Sequence, residues 1–242
     1  MALIKMTAIV DSISGKLNGS VFARNKGGAY VRSKSVVSNP NTPLQQAVRS
    51  VFSAISQAWR DLTTEERKSW NEAVEYYKYT NVFGDLRTLS GKALFQKLNG
   101  NRLNVGLSID STVNAPTDVI GIARLSTELS IAVGTNAIEF TADLPQPLED
   151  SQYFVLEATP SLSQGIDNAA NRFRKVAVAN LAAAVDSMTQ ADFATLPETL
   201  WGLYTAKFGT PQEGAKVFLR IKPINMNGQA GPYFTTSCIV GA

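Results

Sequence analysis

The spacing of apolar residues changes period twice along this chain. Over residues 3–37 short apolar–polar alternations are separated by turn residues, first Ser14-Gly15-Lys16-Leu17-Asn18-Gly19 and then Asn25-Lys26-Gly27-Gly28. The second turn is flanked by residues 20–24 and 29–34, a pattern that predicts a β-hairpin, and residues 4–13 predict a further strand. A ribbon with so few apolar residues needs a surface to lie on, in this chain or a neighbour.

Beyond residue 42 the period becomes helical. Leu44, Ala47, Val48, Val51, Phe52, Ile55 and Trp59 recur at i, i+3, i+4, i+7 spacing and predict a helix over 43–61, with Thr42 as N-cap and Pro43 in the first turn. Thr63 and Glu66 fit a capping box that starts a second helix through about residue 77, with Trp70, Ala73, Val74 and Tyr77 on its apolar stripe. A third helix is expected over 90–103, presenting Ala93, Leu94, Phe95 and Leu98, and residues 79–89 read as a loop. Three short helices with two tryptophans make one small core.

Residues 107–118 carry the composition of a linker. After it the period falls to two. Strands are expected at 125–133, 137–142, 153–159, 175–178, 216–224 and 233–240, separated by Gly, Pro and Asn turns. That spacing argues for an antiparallel β-sandwich. Residues 186–209 interrupt it with helix-like pieces at 189–195 and 198–204, a long crossover at the sandwich edge. The expected class is therefore α+β and multidomain: a module over 1–106 (ribbon 1–37, helices about 43–103), a linker over 107–118, and a sandwich over 119–242.

Charge sharpens this division. Residues 1–106 hold fifteen Lys/Arg against seven Asp/Glu, and residues 107–242 hold eight against thirteen, so a front of +8 adjoins a back of −5. The helical stretch 44–78 balances to zero. The positive excess lies in the ribbon, where Lys16, Arg24, Lys26, Arg32 and Lys34, together with Tyr30, are the candidate interaction residues, and around the third helix.

Histidine is absent and Cys238 is the single cysteine, so imidazole-based catalysis, zinc sites and intrachain disulfides are excluded. No phosphate-cradling or calcium-loop motif occurs. These exclusions favour a non-enzymatic protein with no cofactor and no metal. No run of about 18 apolar residues is present, which argues against a membrane partner, and the opening residues are too short in apolar stretch for a secretory signal. Cys238, inside a strand-like run, reads as a small buried hydrophobe.

Two stretches carry a resemblance. Gly15-Lys-Leu-Asn-Gly-Ser-Val-Phe, then Gly28-Ala-Tyr-Val-Arg32, Asn39-Pro-Asn-Thr42, Gln45-Gln46, Arg49, Trp70-Asn71 and Leu89-Ser-Gly-Lys-Ala-Leu-Phe95 together resemble a family of tailed-bacteriophage proteins. Residues 216–232 are similar to the closing hairpin of fibronectin type III or immunoglobulin-like domains, although the 186–209 interruption departs from a simple seven-strand domain. The resemblance implies a virion structural protein made in the bacterial host cytoplasm. It would be an auxiliary or decorating capsid protein, or a tail or head–tail connector component, with other virion proteins and further copies of itself as partners. It implies no catalytic residue. A third stretch, Trp59-Arg-Asp-Leu-Thr-Thr-Glu-Glu-Arg-Lys-Ser-Trp-Asn71, is similar to part of an HMG box, which bends DNA. The neutral helical pair and the uncharged link at 38–43 weigh against DNA, whose binding is dominated by phosphate neutralisation, so an acidic protein surface is the favoured partner.

Overall fold

The computed structural model describes residues 2–4, 12–35, 39–194 and 198–241, so most of the strand expected over 4–13 lies outside the described residues. The fold is α+β, with four α-helices and antiparallel sheets among the described residues. It divides into two compact units, Met1–Gln96 with Ser111–Ala115 and Lys97–Asp110 with Pro116–Ala242.

In the first unit, β1 (Ala2–Ile4), β2 (Gly15–Leu17), β3 (Ser20–Asn25) and β4 (Gly28–Ser33) form one sheet of order β1-β4-β3-β2. The ribbon is thus the centre of a four-stranded sheet. Its Lys26-Gly27 turn is held by the Gly27 N–H donating to Asn25 Oδ1 at 2.9 Å, and Gly28 follows at φ +112°, a conformation L side chains rarely adopt. Among the described residues of this sheet only Val21 is fully buried.

Two reciprocal caps set the helices. α1 (Pro43–Asp61) begins where Thr42 Oγ1 accepts the Gln45 N–H and Gln45 Oε1 accepts the Thr42 N–H. α2 (Thr64–Ala73) begins with the same exchange between Thr63 and Glu66, then tightens into a 3₁₀ turn over Val74–Tyr76 rather than continuing to residue 77. The expected loop after it is a small hairpin, β5 (Tyr79–Thr80) with β6 (Leu86–Arg87), whose turn is built by Asn81 Oδ1 accepting the Phe83 and Asp85 N–H groups. α3 (Gly91–Asn104) contributes its first six residues to this unit. Phe95 is fully buried, with its ring 5.4 Å from Trp59 and 5.2 Å from Trp70, the latter edge-on at 89°. Trp70 Nε1 donates to the Ser111 carbonyl at 2.8 Å, which satisfies its one polar atom. Gly91 is required at the entry to α3: a Cβ there would come within 2.9 Å of the Asn71 backbone nitrogen.

In the second unit, β7 (Arg124–Ala132), β8 (Ala137–Asp143) and β11 (Ser187–Thr189) make a sheet of order β11-β8-β7. β9 (Gln152–Ala158), β10 (Arg174–Leu181), β12 (Lys216–Asn225) and β13 (Phe234–Ile239) make a second, of order β10-β9-β12-β13. Period-two alternation sends Ile138, Phe140 and Ala142 of β8 inward, and they share one core with Phe154, Leu156, Ala177, Ala179, Val217, Leu219 and Ile221 from the other sheet. Gly241 joins the two sheet edges, donating to Ile131 O at 2.8 Å and accepting from Val133 N at 3.2 Å. The interruption at 186–209 supplies the short strand β11, a 3₁₀ turn over Gln190–Phe193 and α4 (Leu200–Phe208); residues 195–197 lie outside the described residues. Thr199 caps α4, and Gly209, at φ +81°, ends it. Tyr204 of α4 is buried and donates to Thr159 O at 3.0 Å.

Residues 107–118 form neither helix nor strand, yet side chains pin them at several points. Asn99 of α3 is 1% exposed and exchanges two hydrogen bonds with the Asp110 backbone, at 2.7 and 3.1 Å. Arg102 donates to Ser108 O at 2.9 Å, and Gln229 Oε1 accepts the Thr117 N–H at 2.8 Å.

Candidate docking surface

Strand register decides which basic residues meet. Lys16, Val21 and Arg32 are consecutive cross-strand partners, and Ala23 pairs Tyr30 two positions along, so Lys16, Tyr30 and Arg32 share one face. Arg24 pairs Ala29 and points from the opposite face. Lys26 sits in the turn, with Nζ donating to Leu89 O at 3.3 Å, and Lys34 lies just past β4. The predicted set is therefore split: three residues on one face, one on the other, two at strand ends. Lys16, Arg24, Lys26, Arg32 and Lys34 are all exposed, Tyr30 is half-buried, and none of the five bases forms an ion pair with another described residue.

The apolar stripe of α1 is where expectation and structure part. Only its C-terminal end packs: Ile55 is buried and Trp59 reaches Phe95. Every residue from Gln46 to Ala54 is exposed, and Leu44, Val48, Val51 and Phe52 remain 74%, 65%, 39% and 56% exposed. An open groove of about 670 Å³ runs along Val48, Phe52, Ser56 and Gln57. Periodicity finds an apolar face but not what covers it, which is why this stretch reads as core in the sequence.

A half-helix without packing is marginal in water, and here a local network supports it. Arg49 reaches back to Asn39 Oδ1 at 2.5 Å and Asn41 Oδ1 at 3.1 Å, while Gln46 Nε2 donates to Asn41 O at 3.4 Å. Asn41 takes the left-handed conformation at φ +51°, which turns the chain into the cap. The motif Asn39-Pro-Asn-Thr42, Gln45-Gln46, Arg49 is thus one cap network that holds an unpacked helix in shape.

The second unit has a different surface. Arg220 lies between the rings of Phe173 (4.2 Å) and Tyr233 (4.4 Å) and ion-pairs with Glu157. Lys175, Glu157 and Arg220 form one cross-strand row over β10, β9 and β12. Desolvation lowers the pKa of Lys175, reinforced by Lys207, and lowers that of Lys222 nearby. A hollow of about 430 Å³ elsewhere in this unit is bordered by Asp118, Glu149 and Asp150, with Gln152 on its wall held by the Ile120 backbone. Among the described residues no group of three His, Cys, Asp or Glu side chains has the geometry to hold a metal, and no helix is long and apolar enough to cross a membrane.

Known proteins add little to this description. No model of a known protein family matches the chain, and no curated protein matches it either. Among solved structures, a β-1,2-glucanase from Parabacteroides distasonis is similar at 11% identity, over 53% of this chain and 14% of that one. The chain spans only that small share of the glucanase, and a TM-score of 0.25 carries no argument about fold or activity.

Proposed function

We propose that the chain is a non-enzymatic structural protein of a tailed-bacteriophage particle, an auxiliary or decorating protein of the capsid that docks through its first unit. The particle assignment rests on the motif resemblance within residues 15–95. The docking assignment rests on one observation: among the described residues, eleven of the fourteen exposed large hydrophobic side chains belong to the first unit, although the second unit is the longer. Contiguous exposed apolar patches mark contact sites, and Leu44, Val48, Val51 and Phe52 lie along one helix. Lys16 and Arg32, on one sheet face and without an ion pair to another described residue, suit an acidic protein neighbour. The second unit reads as a sandwich of the fibronectin type III or immunoglobulin-like kind. Its support is the four-plus-three strand arrangement around a shared core and the return from β11 to β12 across the sheets. A tail or head–tail connector position would use the same two surfaces.

A DNA-binding architectural role is the second reading, favoured by the same exposed bases. Replacing Lys16 and Arg32 by Gln distinguishes the two. On the docking reading, the double variant is lost from purified particles while Arg24→Gln, on the other face, is retained, and the chain binds duplex DNA no more tightly than other proteins of its charge. Normal incorporation of the double variant removes this face from docking. Tight duplex binding that collapses between 50 and 200 mM salt moves the assignment to DNA.

A further inference from the structure

We infer that Arg220, clamped between Phe173 and Tyr233, forms with Lys222 and Lys97 a binding site for a phosphate group. The inference stands on the second unit alone and does not need the particle assignment. That unit carries ten Lys/Arg against thirteen Asp/Glu, yet five of its bases gather about one carboxylate, Glu157. Lys175 and Arg220 are the cross-strand neighbours of Glu157, Lys207 adds to Lys175, and Lys222 and Lys97 complete the group. Desolvation holds the Lys222 pKa below its usual value, and repulsion from Lys97 and Arg220 adds to this against the pull of Glu157. An incoming anion relieves that repulsion.

Geometry selects an oxyanion. Phe173, beside β10, and Tyr233, beside β13, hold the guanidinium at 4.2 and 4.4 Å, while its Nε donates to Glu157. The terminal nitrogens Nη1 and Nη2 have no hydrogen-bond partner among the described residues, and neither is buried. Such an edge presents the planar fork that pairs with two oxygens of one phosphate, and the rings fix it before binding. Lys222 Nζ stands 5.6 Å from the same Tyr233 ring and donates to Asn101 Oδ1 at 3.5 Å. Lys97 is exposed and has neither ion pair nor hydrogen bond to another described residue. Charge then favours phosphate over carboxylate. Three bases face the single charge of Glu157, an excess that a phosphate monoester of about −2 balances and a carboxylate does not. Tyr233, 48% exposed, offers a ring on which a base joined to that phosphate can stack. A free nucleotide and a single nucleic-acid strand both carry this chemistry.

Isothermal titration calorimetry of the full chain at low salt tests the site with inorganic phosphate, adenosine monophosphate and a short oligothymidylate. Phosphate is expected to saturate at a Kd of about 1 mM or tighter, as charge-assisted hydrogen bonds support. The K97Q/K222Q variant should weaken it roughly 10-fold or more. Arg124→Gln, which removes an exposed base on the other sheet, should leave it unchanged. The E157Q/R220Q variant keeps the net charge, strands no buried partner, and should lose phosphate to a similar degree. Adenosine monophosphate bound tighter than the oligonucleotide identifies a free nucleotide as the source. An oligonucleotide bound tighter than the mononucleotide, with affinity that falls steeply in salt, identifies a single strand. No saturable phosphate binding up to about 10 mM overturns the inference, as does equal displacement by acetate. Equal weakening in R124Q and K97Q/K222Q also overturns it, because bulk charge would then explain the binding.

Discussion

Two ionisable groups, the half-buried Cys238 and the buried Tyr204, give the fold a sign of its own on the alkaline side. Cys238 is half-buried against the second unit's core, and desolvation pushes its thiol up from 9.0 to about 11. Burial likewise pushes the Tyr204 phenol, 1% exposed, up to about 12. In both cases the folded chain keeps a proton that the unfolded chain releases. The stabilisation is complete below pH 9 and is lost as pH rises, first across 9 to 11 through Cys238 and then toward 12 through Tyr204. Urea midpoints should therefore fall above pH 9, and Cys238→Ala should delay the onset toward pH 10. A midpoint independent of pH up to 11 contradicts the burial assigned to the thiol. The sequence context of Cys238 pointed to a small buried hydrophobe, and the thiol is only half-buried, because a strand neighbourhood is a local property and depth of burial is not. The partnership of Tyr204 with Thr159 was not legible, since it joins a helix to a strand end 45 residues away.

Among the elements, α1 carries two behaviours in one helix. Its C-terminal end is held by packing through Ile55 and Trp59, and its N-terminal half by the cap network. Replacing Thr42 by Ala removes an N-cap worth about 1 kcal/mol. Hydrogen exchange on dilute protein should show lost protection confined to residues 43–54, with 55–61 unchanged. Uniform loss along α1 would mean that the N-terminal half is packed after all. The helix, its cap and its start were legible in Thr42-Pro43 and the apolar spacing. The network was not, because Asn39 and Asn41 meet Arg49 ten and eight residues later, beyond any local capping rule. The β-strands of the second unit were legible to within a residue or two at most ends, since alternation with turn residues is a strong signal. β11 was missed: Ser187-Met188-Thr189 is too short to show a period, and only its register with β8 makes it a strand. The hairpin of β5 and β6 was missed for the same reason.

At the scale of the whole molecule, the charge split first visible in the sequence coincides with a split in surface type. Among the described residues, the first unit has bases without ion pairs on a thin sheet and an exposed helix face, and its buried core is centred on Phe95. The second unit encloses a larger core between two sheets and holds the Arg220–Glu157 pair between two aromatic rings. On the proposed function, the first unit is the docking end and the second the outward end. Electron cryomicroscopy of purified phage particles tests that claim most directly. The account predicts density for this chain on the particle, with the first unit seated against a neighbouring protein, Lys16 and Arg32 at the contact, and the second unit facing solvent. Particles that lack the chain, or that hold it by the second unit with the first left free, would contradict it.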